Sequence, residues 1–180
     1  MSTTPLEPIL DADNTELSVT GAFYGGPITA TAPATAVAAL TGFTCYGYTS
    51  DDGIEEQPSR SVDQLKAWQN NAVVQNVTTD GSVSYTVTFI ETLPEVVELW
   101  HNAELDATGK LEFNPGFTAK KQRFVADIID GDGEVERHSF VGQVGELDNR
   151  AFKSGELRGY PLTINAIGNV TKWFTKLATP

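Results

Sequence analysis

The stretch that decides the fold is TDGSVSYTVTFIET, residues 79–92, because two kinds of side chain alternate along it. Every second position carries a small hydroxyl: Ser82, Ser84, Thr86 and Thr88. The positions between them are apolar and are expected in the core: Val83, Tyr85, Val87 and Phe89. A period of two residues is typical of a strand with one buried face, so this stretch indicates a β protein.

The neighbouring patterns predict more strands. Asp80-Gly81 is a dipeptide typical of a two-residue turn, which predicts a hairpin between strands 73–79 and 83–91. A second hairpin is expected from Arg123–Ile129 and Glu134–Val144, and further strands from LSVTGAFY (17–24), FTCYGYT (43–49) and YPLTINAIG (160–168). Between the predicted strands, SDDG (50–53) reads as a turn in which Gly53 adopts a positive φ, and 104–120 reads as a long loop.

One short helix is predicted after Thr92, which is a good N-cap, with Pro94 in the first turn. The helix and its surroundings add four expected core or packing residues: Trp68, Val96, Leu99 and Trp100. The fold class is therefore mainly β, a sandwich or barrel of about seven to eight strands with one short flanking α-helix. Residues 1–16, interrupted by prolines, read as an extended N-terminal arm, and 17–180 as a single β domain.

Composition excludes several classes of protein. The 180 residues include 12 Lys and Arg against 24 Asp and Glu, a formal net charge of -12 that repels nucleic acid on average. Cys45 is the single cysteine, so no intrachain disulfide can form, and we expect a buried structural thiol. Neither a secretory signal nor an apolar run of ~20 residues is present, so we predict synthesis in a cytoplasm and no membrane span.

No pattern predicts catalysis, a metal site or a cofactor. The acidic stretch DIIDGDGEVE, residues 127–136, suggests calcium, but the positions that would need Gly and Glu in an EF-hand loop hold Val135 and Val141. His101 and His138 are the only histidines, and neither has a partner at ligand spacing. We therefore expect a protein that is not an enzyme.

The order of several short motifs resembles the major tail tube proteins of long-tailed bacteriophages. These motifs are Gly47-Tyr48, DDGI (51–54), LKAWQ (65–69), the Thr-rich stretch described above, and ET (91–92) followed by EVVELWHN (95–102). The resemblance implies a structural virion protein whose hexameric rings stack into a hollow tube, the conduit for genome ejection into the host cell. It also implies contacts with the tape measure, terminator and baseplate or tip proteins, and double-stranded DNA that passes without specific binding.

Within this resemblance the hydroxyl face receives a function, because small uncharged groups let a polyanion slide past. The predicted lumen-lining residues are Ser82, Ser84, Thr86, Thr88, Asp127, Glu134 and Glu136. The predicted ring-stacking residues are Leu6, Ile9, Leu10, Asp51, Asp52, Ile54, Phe113 and Phe117. An ordinary solvated outer face would give the same alternation. The alternatives for the whole chain are the tube of a type VI secretion or contractile injection system, or a soluble β-sandwich carbohydrate-binding or adhesin module.

Overall fold

The computed structural model describes residues 15–178, which form seven strands and one helix. The elements are β1 (Ser18–Pro27), β2 (Thr44–Cys45), β3 (Thr49–Lys66), β4 (Val73–Phe89), α1 (Pro94–His101), β5 (Lys121–Asp130), β6 (Val135–Leu147) and β7 (Tyr160–Phe174). All strands belong to one antiparallel sheet in the order β2-β1-β5-β6-β7-β4-β3. The predicted mainly β class with one short helix is confirmed.

The sheet curls until its two ends meet around the core. Phe23 of β1 contacts Phe89 of β4, with ring centroids 5.9 Å apart, although three strands lie between β1 and β4 in the sheet. The end of β2 closes the same gap, because the Tyr46 ring lies 5.1 Å from that of Phe89 and the Ile90 N–H donates to the Tyr48 carbonyl at 3.0 Å. A sheet closed in this way buries one face completely and leaves the other to loops and solvent.

The core is largely aromatic and is built from alternate residues of the strands. Tyr85 of β4 stacks on Phe140 of β6 with centroids 4.4 Å apart. As predicted from the alternation, Tyr85, Val87 and Phe89 are buried, and Val83 is partly buried against them. Helix α1 adds two buried side chains and one partly buried tryptophan: Val96, Leu99 and Trp100. The Trp100 indole Nε1 donates to the Pro161 carbonyl at 3.0 Å, which ties the helix to β7.

The predicted tight turn at Asp80-Gly81 is wrong. Strand β4 runs through both residues, and Gly81 pairs with Arg60 of β3. The chain reverses instead after Lys66, where Asn70 and Asn71 both adopt positive φ values near 55° and Ala67 N–H bonds to the Ala72 carbonyl. Pairing with β3 along the whole length outweighs the local turn preference, and a bulge between Ser61 and Val62 absorbs the irregularity.

Four local expectations are also corrected. The turn predicted at residues 50–53 belongs to β3, although Gly53 does adopt the predicted positive φ, 70°, at an irregularity in that strand. Trp68 is not in the core: it is 97% exposed in the turn between β3 and β4. Cys45 is exposed because β2 is a two-residue edge strand. The helix N-cap is Leu93, one residue after the predicted Thr92.

Candidate assembly surfaces

The most unusual surface is a two-stranded hairpin that extends beyond the core. We call residues 57–82 the hairpin arm; every residue in it except Ala67 is exposed on both faces of the ladder. Its exposed apolar side chains are Val62, Leu65, Trp68, Val73, Val74 and Val77. A hairpin without a third strand or a packed face is marginally stable in water. An apolar patch on such an element is typical of a protein–protein contact.

A polar surface, the hydroxyl face, covers the outer side of the sheet where the arm joins the body. It continues from β4 onto both neighbours, because Thr86 lies opposite Thr163 of β7 and Glu55 of β3. The two threonine hydroxyls are 3.1 Å apart and share a hydrogen bond. The members of the face are Ser82, Ser84, Thr86, Thr88, Gln57, Glu55 and Thr163, with Glu55 as their one charge. Past Thr163, Asn165 and Gln143 on the same side of the sheet line a groove, and Gln143 lies opposite Lys121 of β5.

Asp127 does not belong to an open face, which corrects its predicted placement in a lumen. The carboxylate is buried and accepts two hydrogen bonds from Arg137, at 2.6 Å from Nε to Oδ1 and 2.7 Å from the second guanidinium nitrogen to Oδ2. The remaining Arg137 nitrogen donates to the Ala38 carbonyl at 2.6 Å and to that of Thr35. The pair therefore fastens the Ala/Thr-rich segment 28–40 to the outer side of β5 and β6, and the hydrogen bond to Asp127 raises the pKa of Arg137.

The other two acids predicted for the lumen lie apart from the hydroxyl face. Glu136 is half-buried and lies on the core side of β6, 2.6 Å from His138 Nε2, while His138 Nδ1 is 3.0 Å from the Tyr85 hydroxyl. Glu134 accepts a hydrogen bond from the Thr175 hydroxyl at the end of β7. Burial and then the nearby Glu56 raise the pKa of Tyr85. The Tyr85 hydroxyl therefore stays protonated within the hydrogen-bond network that it forms with His138 and Glu136.

An apolar groove lies between α1, the loop of residues 103–120 and strands β6 and β7. It encloses about 590 Å³, and its apolar lining includes Trp100, Phe113, Phe117, Val144, Leu147 and Ile167. Phe113 and Phe117, which were predicted as ring-stacking residues, are 50% and 71% exposed. His101 packs on Phe113 with rings 4.6 Å apart, and burial, followed by the charge of Arg150, lowers the pKa of His101.

The structure distributes the remaining predicted stacking residues over different places. Asp51 and Asp52 are exposed in β3, whereas Ile54 is partly buried against the core. Leu6, Ile9 and Leu10 lie outside the described residues, as does most of the predicted N-terminal arm. The sequence analysis missed the hairpin arm itself. The available signal was a pair of consecutive asparagines, Asn70 and Asn71, followed by valines at 73, 74 and 77 that do not follow the two-residue period of a half-buried strand.

The fold and these surfaces define the class: a mainly β domain with an exposed hairpin arm, a polar outer face and an apolar groove. Within residues 15–178, no group of three or more His, Cys, Asp or Glu side chains is arranged to hold a metal ion, and no helix is long and apolar enough to cross a membrane.

The comparison with protein families then identifies the chain as a member of the phage tail tube protein family, whose sequence model matches residues 10–179. No curated protein matches it. Membership makes this a structural component of the virion tail that associates with itself and with other tail proteins.

Proposed function

We propose that copies of this chain close into hexameric rings, that the rings stack into the tail tube, and that the hydroxyl face lines the channel through which the genome leaves for the host cell. The observation that carries the proposal is the continuity of the hydroxyl face over three neighbouring strands, β7, β4 and β3. A surface this wide that is polar and nearly uncharged suits a wall along which a polymer slides.

Electrostatics supports this assignment of the face. Proteins that bind DNA do so mainly through Lys and Arg contacts to phosphates. The seven members of the hydroxyl face include neither, and their one charge, Glu55, repels phosphate. The formal net charge of -12 on each copy adds a repulsive background to any channel formed by several copies. A passing duplex would find neutral hydrogen-bonding groups and no cation at which to stop.

The strand edges support closure by association of identical copies. The sheet ends on one side at β3, whose part within the hairpin arm has a free outer edge, and on the other at β2, which covers only two residues of β1. Exposed edges pair with other strands unless they are covered. The two ends differ in length and sequence, so joining one copy's β3 to the next copy's β1 and β2 gives a head-to-tail contact of the kind that builds rings.

The expected contacts with tape measure, terminator and baseplate or tip proteins follow from the same architecture, because a finite tube must be measured and closed at both ends. Synthesis in the host cytoplasm and assembly there agree with the presence of a single cysteine. Passage of double-stranded DNA without specific binding is part of the proposal.

The test introduces a cation on the hydroxyl face. Ser84→Lys places a lysine at the centre of that face, Ser84→Glu is the control of similar length and opposite charge, and Ser154→Lys adds the same charge on an exposed turn off the face. Tubes are assembled from each full-length variant, checked by negative-stain microscopy and incubated with a fluorescent DNA duplex. We expect Ser84→Lys tubes alone to retain the duplex, and added salt to release it. Equal retention by the Ser84→Lys and Ser154→Lys tubes would contradict the assignment.

A further inference from the structure

We propose that the tip of the hairpin arm, centred on Trp68, binds in the apolar groove of another copy of the chain. This contact rests on the proposed tube and specifies one of the interfaces that hold it together. Its two halves are different surfaces of the same molecule, so that each copy offers one tip and one groove. A head-to-tail contact of this kind continues from copy to copy.

The tip is an apolar knob held on a defined turn. Trp68 is 97% exposed, and Leu65 and Val74 near it are 52% and 70% exposed. The turn is fixed by the hydrogen bond from the Ala67 N–H to the Ala72 carbonyl at 2.8 Å and by two asparagines in the left-handed region. A preformed turn loses little conformational entropy on binding, and tryptophan is the side chain most enriched at energetically important interface positions.

The groove has the size and chemistry to receive such a knob. Its volume of about 590 Å³ falls within the ~300–1,000 Å³ of pockets that enclose ligands larger than an indole ring. Phe113 and Phe117 stand at its mouth with half or more of their surface exposed. Aromatic pairs add about 0.5–1.5 kcal/mol to the burial of their apolar area. An inserted indole would cover both rings.

The segments that carry the tip and border the groove differ in the sign of their net charge. Residues 64–79, which form the tip, contain Lys66 and no carboxylate. The segment 95–120, which includes α1 and the loop beside the groove, contains five carboxylates and two lysines. Both lysines are already paired, Lys110 with Glu112 at 2.5 Å and Lys120 with Glu104 at 2.8 Å. This segment therefore carries a net charge of -3, while among the described residues the groove itself is lined by no carboxylate and Arg150 lies 5.4 Å from the Trp100 ring at its wall.

The occupant has to be a different copy, because the arm cannot reach its own groove. Asn165 lines the groove and lies opposite Ser84, where the arm begins. From Gln57, the partner of Ser84, to Lys66 the arm extends nine residues further, about 30 Å at the rise of a strand. Paired strands hold the tip at that distance from the body. Within residues 15–178, the groove of a neighbouring copy matches the tip in size and polarity.

Disulfide trapping tests the contact directly. All variants carry Cys45→Ser, because Cys45 is exposed and would form unwanted disulfides. A Trp68→Cys chain is mixed with a Phe117→Cys chain, and each mixture includes chains that carry Cys45→Ser alone so that tubes form. The control mixture replaces Phe117→Cys with Ser154→Cys, which is exposed but outside the groove. We expect an oxidised dimer of the first mixture on non-reducing gels of sedimented tubes, and none from the control mixture or from unassembled chains. Tubes without this dimer would overturn the contact.

Truncation of the tryptophan gives a second, independent readout. Trp68→Ala should raise the protein concentration needed for tube formation about tenfold or more, whereas Trp68→Phe should restore most of the wild-type behaviour. Because Trp68 has no packing within the subunit, its replacement should leave the unfolding transition of the unassembled chain unchanged. Assembly of Trp68→Ala at the wild-type concentration would overturn the proposal. Failure of the wild-type chain to form tubes at all would instead overturn the proposed function.

Discussion

Replacing Asp127 with alanine tests most severely whether Asp127 and Arg137 form a buried ion pair beneath segment 28–40. The change leaves the Arg137 guanidinium under segment 28–40 with two carbonyl partners and no counter-ion. Both side chains are less than a tenth exposed, so solvent screens the loss little. Removing one partner of a buried ion pair costs about 3–5 kcal/mol, against a total stability of about 5–15 kcal/mol for a domain of this kind.

Urea denaturation of the unassembled chain measures the effect, with the free energy of unfolding extrapolated to zero denaturant. The double variant Asp127→Leu with Arg137→Met removes both charges and keeps similar volume, and it should recover most of the loss. Limited proteolysis should cut segment 28–40 faster in Asp127→Ala than in wild type. If Asp127 were an exposed wall residue, as the sequence alone suggested, its replacement would cost less than about 0.5 kcal/mol, and that result would refute the buried placement.

Three further outcomes follow from single sites. Because the pKa of His101 is lowered in the folded chain, the unfolded chain takes up a proton first as the pH falls. The free energy of unfolding should therefore decrease as the pH drops below about 6.5. His101→Gln should remove that slope in urea titrations at several pH values. Arg150 lies 3.7 Å from the centroid of the Tyr160 ring, and Arg150→Ala should lower stability by about 1 kcal/mol, measured by thermal unfolding. Gly25→Ala would push a methyl group into the Tyr46 hydroxyl and should cost about 1–3 kcal/mol; an unchanged transition would contradict the close packing of β1.

The sequence revealed those parts of the fold that depend on short-range pattern. The buried residues 83–89 were found because a half-buried strand imposes a period of two, and the β5–β6 hairpin because glycines separate two apolar runs. Asp80-Gly81 misled because a turn preference is local, whereas the pairing of β4 with a distant strand is not. Trp68 misled for a related reason: hydrophobicity predicts burial, but only the three-dimensional structure shows that the hairpin extends beyond every packing partner in the subunit.

The candidate surfaces were predictable to a similar degree. The hydroxyl face of β4 can be read from the sequence, but its continuation onto Thr163 of β7 requires the strand order. The burial of Asp127 depends on Arg137 and on a segment about 100 residues earlier in the chain, and no local pattern contains that information. Phe113 and Phe117 were selected for a contact role, and the structure adds the groove in which they lie.

Cryo-electron microscopy of tubes assembled from the full chain would measure directly which side chains face the channel. The predicted map has a continuous central channel whose wall is formed by Ser84, Thr86 and Thr163 of every copy, without lysine or arginine along that surface. A tube in which this face lies on the outer wall, or assemblies of the chain that lack a central channel, would contradict the proposal.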